Sequence, residues 1–264
     1  MHKSEEGGSL YVSCSKGECV QDRICSFGSN TVNPGAYCYI EVSDEFPNKN
    51  YLLDSTITSS GQENPDENDN ICLYSGEINM KSINISNSKL YYDSIYNVVY
   101  SSNSNVTLST FSNNTTTFED IYEIYVTALS DSLEFKILFC NFFENECNYF
   151  IISFHDLFIN NCSFNKNNIN ERYFSTDSKQ IIVKGCYFDI SDPIKIGNVI
   201  ITEELGSIYP ENYHLSSGLC FAKLKLEFPE EKKAETEEKE EIKINFKRKN
   251  KFNIFVCFVF IFPK

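Results

Sequence analysis

The stretch Ile159–Asn167, reading Ile-Asn-Asn-Cys-Ser-Phe-Asn-Lys-Asn, recurs in close copies along the chain, and this recurrence constrains the fold more than any other feature. Ile137–Asn145 repeats it upstream and Val183–Ser191 downstream, with looser copies at Cys25–Asn30, Ser55–Ile57, Ile83–Ile85 and Ser109–Asn114. The common core is a small or apolar residue, any residue, then Phe or Ile, often with Asn three positions later. Anchored on Phe27, Ile57, Ile85, Phe111, Phe142, Phe164 and Phe188, the steps run from roughly 22 to 31 residues and average about 27. A unit of that size buries no apolar face by itself, so it has to stack on its neighbours.

Each unit adds a second apolar strand after a polar bend: Ile95–Tyr100, Ile121–Val126, Tyr149–Phe154 and Tyr173–Phe174. Ser, Asp and Asn turns such as Ser101-Ser102-Asn103 and Asp131-Ser132 then lead to the next core. Strand, turn, strand and turn with no helical period predict an all-β chain: a right-handed parallel β-helix, or solenoid, of about seven coils and roughly 30 Å. The rival is a leucine-rich repeat, whose template Ile159-x-x-Cys162-x-Phe164-x-x-Asn167 also fits. Leucine is sparse in the columns, and the back half of each unit reads as strand.

The domain plan is a β-helix over 1–228 with an N-terminal cap over 7–42, then a charged, poorly ordered tail over 229–264. Gly7–Val12 and the alternating Ala36–Val42 read as cap strands. Ile194–Ile201 and Gly218–Glu227 read as the last strands, the second as an exit cap. Glu230–Glu241 is a mixed-charge run with no apolar face. The final apolar run, Phe252–Phe262, is about 11 residues, short of the roughly 20 a spanning helix needs. It reads equally as a truncated membrane span, an interfacial tail or a stray end, and membrane attachment stays open.

Aromatic residues make up 14% of the chain, which supplies a core that Asn-rich disordered sequences lack. The formal charge is −14. Removing the tail's about nine basic and seven acidic side chains leaves the body near −16. An acidic body without a basic stripe repels phosphate backbones, which excludes nucleic acid as a partner.

Eleven cysteines are many for a cytosolic protein of this size, yet the count is odd, and the compartment stays open. Cys14, Cys19, Cys25, Cys38 and Cys72 lie early, where disulfides could staple a cap. Cys140, Cys162 and Cys186 share one column with Ser55 and Ser109, and that interchange predicts small buried thiols stacked coil on coil. Met1–Gly8 has no apolar core, so no signal peptide is visible.

No catalytic, cofactor-binding or metal-binding residue is assigned. Glycoside hydrolysis needs paired carboxylates beside a groove, yet the column in question holds Asn84, Thr110, Asn141, Ser163 and Tyr187. Arg23 and Arg172 are the body's only arginines. His155-Asp156 is a lone dipeptide, His214 stands in a polar stretch and His2 is terminal. The acidic stretch Gly61–Asn70 has no glycine-punctuated calcium loop and reads as solvated charge. Sequons at Asn84, Asn105, Asn113, Asn114 and Asn161 are about what an Asn- and Ser-rich chain carries by chance.

Phe-x-x-Asn at Phe27/Asn30, Phe111/Asn114, Phe142/Asn145 and Phe164/Asn167, together with Gly7-Gly8-Ser9-Leu10, resembles the repeats of polymorphic outer-membrane proteins of chlamydial type. Such repeats are also widespread in surface proteins of parasitic protists. The resemblance covers about residues 7–205. It implies a pectin-lyase-like right-handed β-helix, extracellular or at the cell surface, that acts in adhesion without catalysis on an unknown protein or glycan ligand. The alternative is a polysaccharide-active β-helix lyase or hydrolase, or its inactive relative. A third reading is a fragment of an expanded gene family with no function of its own.

Overall fold

A computed structural model describes residues 3–4, 8–14, 17–31, 35–43, 48–61, 69–99, 101, 103–116, 122–128, 133–203 and 259–262. After β1 (Lys3–Ser4), the first coil holds β2 (Leu10–Ser13), β3 (Glu18–Asp22), β4 (Cys25–Phe27) and β5 (Asn30–Thr31). The second holds β6 (Cys38–Glu41), β7 (Lys49–Leu53) and β8 (Thr56–Thr58). The third holds β9 (Ile71–Tyr74), β10 (Glu77–Lys81), β11 (Asn84–Ser86) and β12 (Lys89–Leu90). The fourth holds β13 (Ile95–Val99), β14 (Asn105–Thr107), β15 (Thr110–Ser112) and β16 (Thr115–Thr116). The fifth holds β17 (Tyr122–Ala128), β18 (Glu134–Leu138) and β19 (Asn141–Phe143), and the sixth holds β20 (Glu146–Ser153), β21 (Asp156–Asn160) and β22 (Ser163–Asn165). The seventh holds the long β23 (Asn168–Lys184) and β24 (Tyr187–Phe188), followed by β25 (Lys195–Thr202) and β26 (Val259–Phe262).

These strands wind as a parallel β-helix with three main faces. The first face stacks β2, β6, β9, β13, β17, β20 and β23. The second stacks β3, β7, β10, β14, β18, β21, the later part of β23, and β25. The third is a seven-stranded sheet from β4 through β8, β11, β15, β19 and β22 to β24. No helix occurs among the described residues, so the leucine-rich-repeat alternative falls.

Two left-handed residues frame each of the first six third-face strands and fix their length at three residues, while β24 has two residues and only the opening bend. Arg23, Asp54, Ser82, Leu108, Phe139, Asn161 and Gly185 open the bends, with φ between 45° and 60°. Gly28, Ser59, Asn87, Asn113, Glu144 and Lys166 close them. This framing corrects one anchor. In the first coil Ser26, not Phe27, stands in register with Ile57, and Phe27 points outward, 40% exposed. Bends at Arg23 and Gly28 decide the register, and the apolar preference of Phe27 loses.

The other anchors fall in one column: Ile57, Ile85, Phe111, Phe142, Phe164 and Phe188 are coil-to-coil partners. Phe142 and Phe164 stack with centroids 4.9 Å apart, and Phe164 and Phe188 at 4.8 Å. Phe150 and Phe174 meet Phe164 edge-on from the first face, at 5.7 Å each. The core is therefore an aromatic axis walled by Ile, Val and Leu from all sides.

The Ser/Cys column locks the bend between the second and third faces. Ser55 Oγ takes the Ile24 N–H at 3.0 Å, Ser109 Oγ takes that of Ile83 at 3.2 Å, and Cys162 Sγ takes that of Cys140 at 3.4 Å. Cys140, Cys162 and Cys186 are buried free thiols, as their interchange with Ser predicts. The expected stapled cap is corrected. Cys14, Cys19, Cys38 and Cys72 are free, and of the five early cysteines only Cys25 is disulfide-bonded. Cys19 and Cys38 are buried in the core as free thiols.

The residues read as an exit cap (218–227) and as a mixed-charge run (230–241) lie outside the described residues. At the extreme end, β26 pairs antiparallel with β3, Val259 opposite Gln21 and Phe262 opposite Glu18.

Candidate functional site

Period-two alternation on the first face turns Ile71 and Leu73 inward and leaves an outward row of rings. Tyr11 stacks on Tyr39 at 5.3 Å, Tyr39 meets Tyr74 at 5.1 Å, and Tyr74 meets Tyr96 at 5.5 Å. Tyr96 stacks on Tyr125 at 4.7 Å, and Tyr125 reaches Phe154 at 5.7 Å. Six aromatic side chains thus run unbroken over six coils. Tyr11 at one end is 49% exposed and Phe154 at the other 36%. Inner rings spend their faces on one another and present edges and hydroxyls.

The row sidesteps at Tyr74 and again at Phe154, which lies two residues beyond Ile152, the register partner of Tyr125. Cys72, fully buried, holds the register position between Tyr39 and Tyr96, so Tyr74 serves from two residues further on. The Cys72 thiol donates to Asp69 Oδ2 at 3.2 Å, and the Asp93 backbone N–H donates to Asp69 Oδ1 at 3.1 Å. Burial pushes the Asp69 carboxyl up to about 6, against the pull of those donors. Asp69 is therefore not solvated loop charge; residues 62–68 of that acidic stretch lie outside the described residues. Burial also raises the phenols, Tyr96 to about 12 with help from Tyr125, so the row presents neutral hydroxyls at physiological pH.

The third-face positions that alternate with the core column carry mostly short polar groups, of which Thr56, Thr58, Ser86, Asn141 and Ser163 are buried. Thr56, Asn84, Thr110, Asn141, Ser163 and Tyr187 form one row by register, and Thr58, Ser86, Ser112, Phe143 and Asn165 the other. No carboxylate stands in either row, so the pair that glycoside hydrolysis needs has no counterpart there. His155 is buried at the bend after β20, where its backbone N–H donates to Ser153 Oγ at 3.2 Å and its carbonyl accepts from that hydroxyl at 2.7 Å. Arg23 pairs with neighbouring Asp22, and Arg172 lies 4.9 Å over the Tyr149 ring. His2 and His214 lie outside the described residues. Among those described, no three His, Cys, Asp or Glu side chains are grouped to hold a metal ion.

Glu123 is a carboxyl that the sequence reading misses. It precedes Ile124, as Ser94 precedes Ile95 and Asn70 precedes Ile71, and those isoleucines are register partners. All three polar residues are fully buried. Asn114 Nδ2 donates to Glu123 Oε1 at 3.1 Å, while Oε2 has no hydrogen bond within 3.5 Å among the described residues. Burial pushes this carboxyl up to about 7, with Ser94 and Asn114 pulling the other way. No regular spacing signals it, since Phe150 and Tyr173 hold the same position in the next two coils.

No protein-family model, curated protein or solved structure matches the chain.

Proposed function

We propose that this chain is a non-enzymatic β-helix interaction protein, secreted or displayed at the cell surface, that holds a glycan or protein ligand along its row of aromatic rings. The observation that carries the reading is the continuity of that row from Tyr11 to Phe154. A solenoid stacks for its interior alone, so an outward row of rings is not required by the fold. Phenol hydroxyls repeated at coil spacing offer donors to an extended, repetitive ligand, and Tyr11 and Phe154 at the two ends are the partly exposed rings of the row. The Phe-x-x-Asn repeats support surface display through their resemblance to adhesion proteins.

Affinity electrophoresis through gels containing soluble polysaccharides tests the glycan form, with Tyr96→Ser as the comparison. Retardation that Tyr96→Ser abolishes is the expected result. Retardation that the variant keeps would place binding on another face. Antibody labelling of intact cells tests display, and signal only after permeabilisation would contradict it.

A further inference from the structure

We propose that the solenoid associates head to tail with a second copy of itself, β25 of one copy adding to the β2 and β3 edge of the next, and that β26 guards this edge as a displaceable strand. The two ends of the molecule are unlike. At the tail, β25 pairs with β23 alone among the described residues, and Ile196 and Ile200 on it are 43% and 42% exposed. At the head, β3 pairs with β7 on its inner side and with antiparallel β26 on its outer side. The outer edge of β2 carries no strand among the described residues.

The register within the molecule sets what a further coil meets. Seven successive parallel pairings on the second face, from β3 to β25, put Val20 and Ile200 in one column and Asp22 and Thr202 in another. The first face puts Tyr11 and Ile196 in one column. Continued across a join, the same register lays Ile200 beside Val20 and Ile196 beside Tyr11, apolar against apolar at about 4.8 Å. Thr202 brings a hydroxyl to the Asp22 carboxylate.

The charges agree with this order. Arg23 and Glu203 follow Asp22 and Thr202 and are both left-handed, with φ of 55° and 54°. Both side chains are exposed, Arg23 paired with Asp22 and Glu203 with Lys184. A join sets Glu203 of one copy beside Arg23 of the next, so the four groups alternate in sign. Lys195 opposes the join, since the first-face register sets it beside Leu10.

β26 occupies the place on β3 that a second copy needs, with Phe260 opposite Val20. Belonging to the same chain, it has the higher effective concentration and keeps the protein monomeric. Once it leaves, the bare parallel edge templates addition of another strand. The contact joins two different surfaces, so it repeats without closing and gives linear assemblies.

The test is sedimentation velocity of the full chain over a concentration series, beside a full-length variant carrying Phe260→Pro and Ile261→Pro. Two adjacent substitutions remove a backbone donor facing β3 whichever way the pairing alternates. Val259→Pro with Phe260→Pro replaces them if folding suffers. A monomeric parent and a variant that grows with concentration into a series of oligomers are expected. A parent that associates as strongly would overturn the guarding role. A monomeric variant would overturn the join, and β25 amides that resist hydrogen exchange in it would identify the chain's own residues as the cover. In the variant background, Arg23→Glu and Glu203→Arg should each weaken association about tenfold, since a repulsion replaces an attraction. An equimolar mixture of the two should recover it, because opposite charges then meet at every join between unlike copies. Reversals without effect, or a mixture no stronger than its parts, would overturn the assigned register.

Discussion

Asn145 Nδ2 donates to Asn167 Oδ1 across 3.0 Å, and the same oxygen takes the Asn145 backbone N–H at 3.0 Å, so one amide holds two donors of the neighbouring coil. The pattern repeats upward. Asn145 Oδ1 takes the Asn114 N–H at 3.1 Å, Asn114 Oδ1 takes that of Ser88 at 3.1 Å, and Ser88 Oγ takes that of Ser60 at 3.4 Å. Each amide thus fills the backbone vacancy left where a bend interrupts the sheet.

Asn145→Ala should therefore be costly. It removes the bonds to Phe111 O, Asn167 Oδ1 and the Asn114 N–H, and leaves a buried donor without a partner. The expected loss is about 2–4 kcal/mol by urea denaturation. Asn145→Ser should lose less, since Ser60 and Ser88 occupy this column natively. Equal losses for Ala and Ser would contradict the ladder.

Leu108 and Phe139 adopt φ of 50° and 55° at bend-opening positions and are 38% and 41% exposed. A left-handed backbone costs such residues roughly 1–2 kcal/mol, which Gly or Asn avoids. Leu108→Asn and Phe139→Asn should each raise stability by about 1 kcal/mol. A fall in melting temperature would show that these side chains pack usefully.

Much of this interior is legible in the sequence because each column repeats one chemistry at one place: Phe or Ile at the core, Ser or Cys before it, Asn or Ser after it. The first coil misleads, since Phe27 looks like an anchor while the framing bends give that place to Ser26. The ring row is illegible for a different reason. Tyr74 joins it from a non-equivalent register position, and the lengths between Tyr39, Tyr74, Tyr96 and Tyr125 depend on loops that share no pattern. Glu123 and β26 depend on long-range placement that no local spacing encodes.

Glu123 makes stability depend on pH in a direction opposite to ordinary acid unfolding. Its folded pKa is raised to about 7 from 4.5. The folded state therefore binds more protons than the unfolded state between those values. Stability is full below about 4.5 and declines as pH rises through about 7, by roughly 3 kcal/mol for this one group. Glu123→Gln should stabilise the protein at pH 8 by a large share of that amount and leave it nearly unchanged at pH 4.5. Denaturant melts of both proteins at the two pH values check the sign. A variant less stable at pH 8 would mean that Glu123 works as a charge.

The account rests on coil-on-coil register, which a double-mutant cycle on Phe142 and Phe164 tests most directly. Each ring is fully buried, and truncating Phe164 to Ala should cost about 3–5 kcal/mol. Phe142→Leu and Phe164→Leu keep apolar bulk but remove the stacked pair 4.9 Å apart. The register predicts a coupling of about 0.5–1.5 kcal/mol between them. It predicts less than about 0.5 kcal/mol between Phe111→Leu and Phe164→Leu, which stand two coils apart. Additive losses for Phe142 and Phe164, or equal coupling in both pairs, would contradict the stacked column.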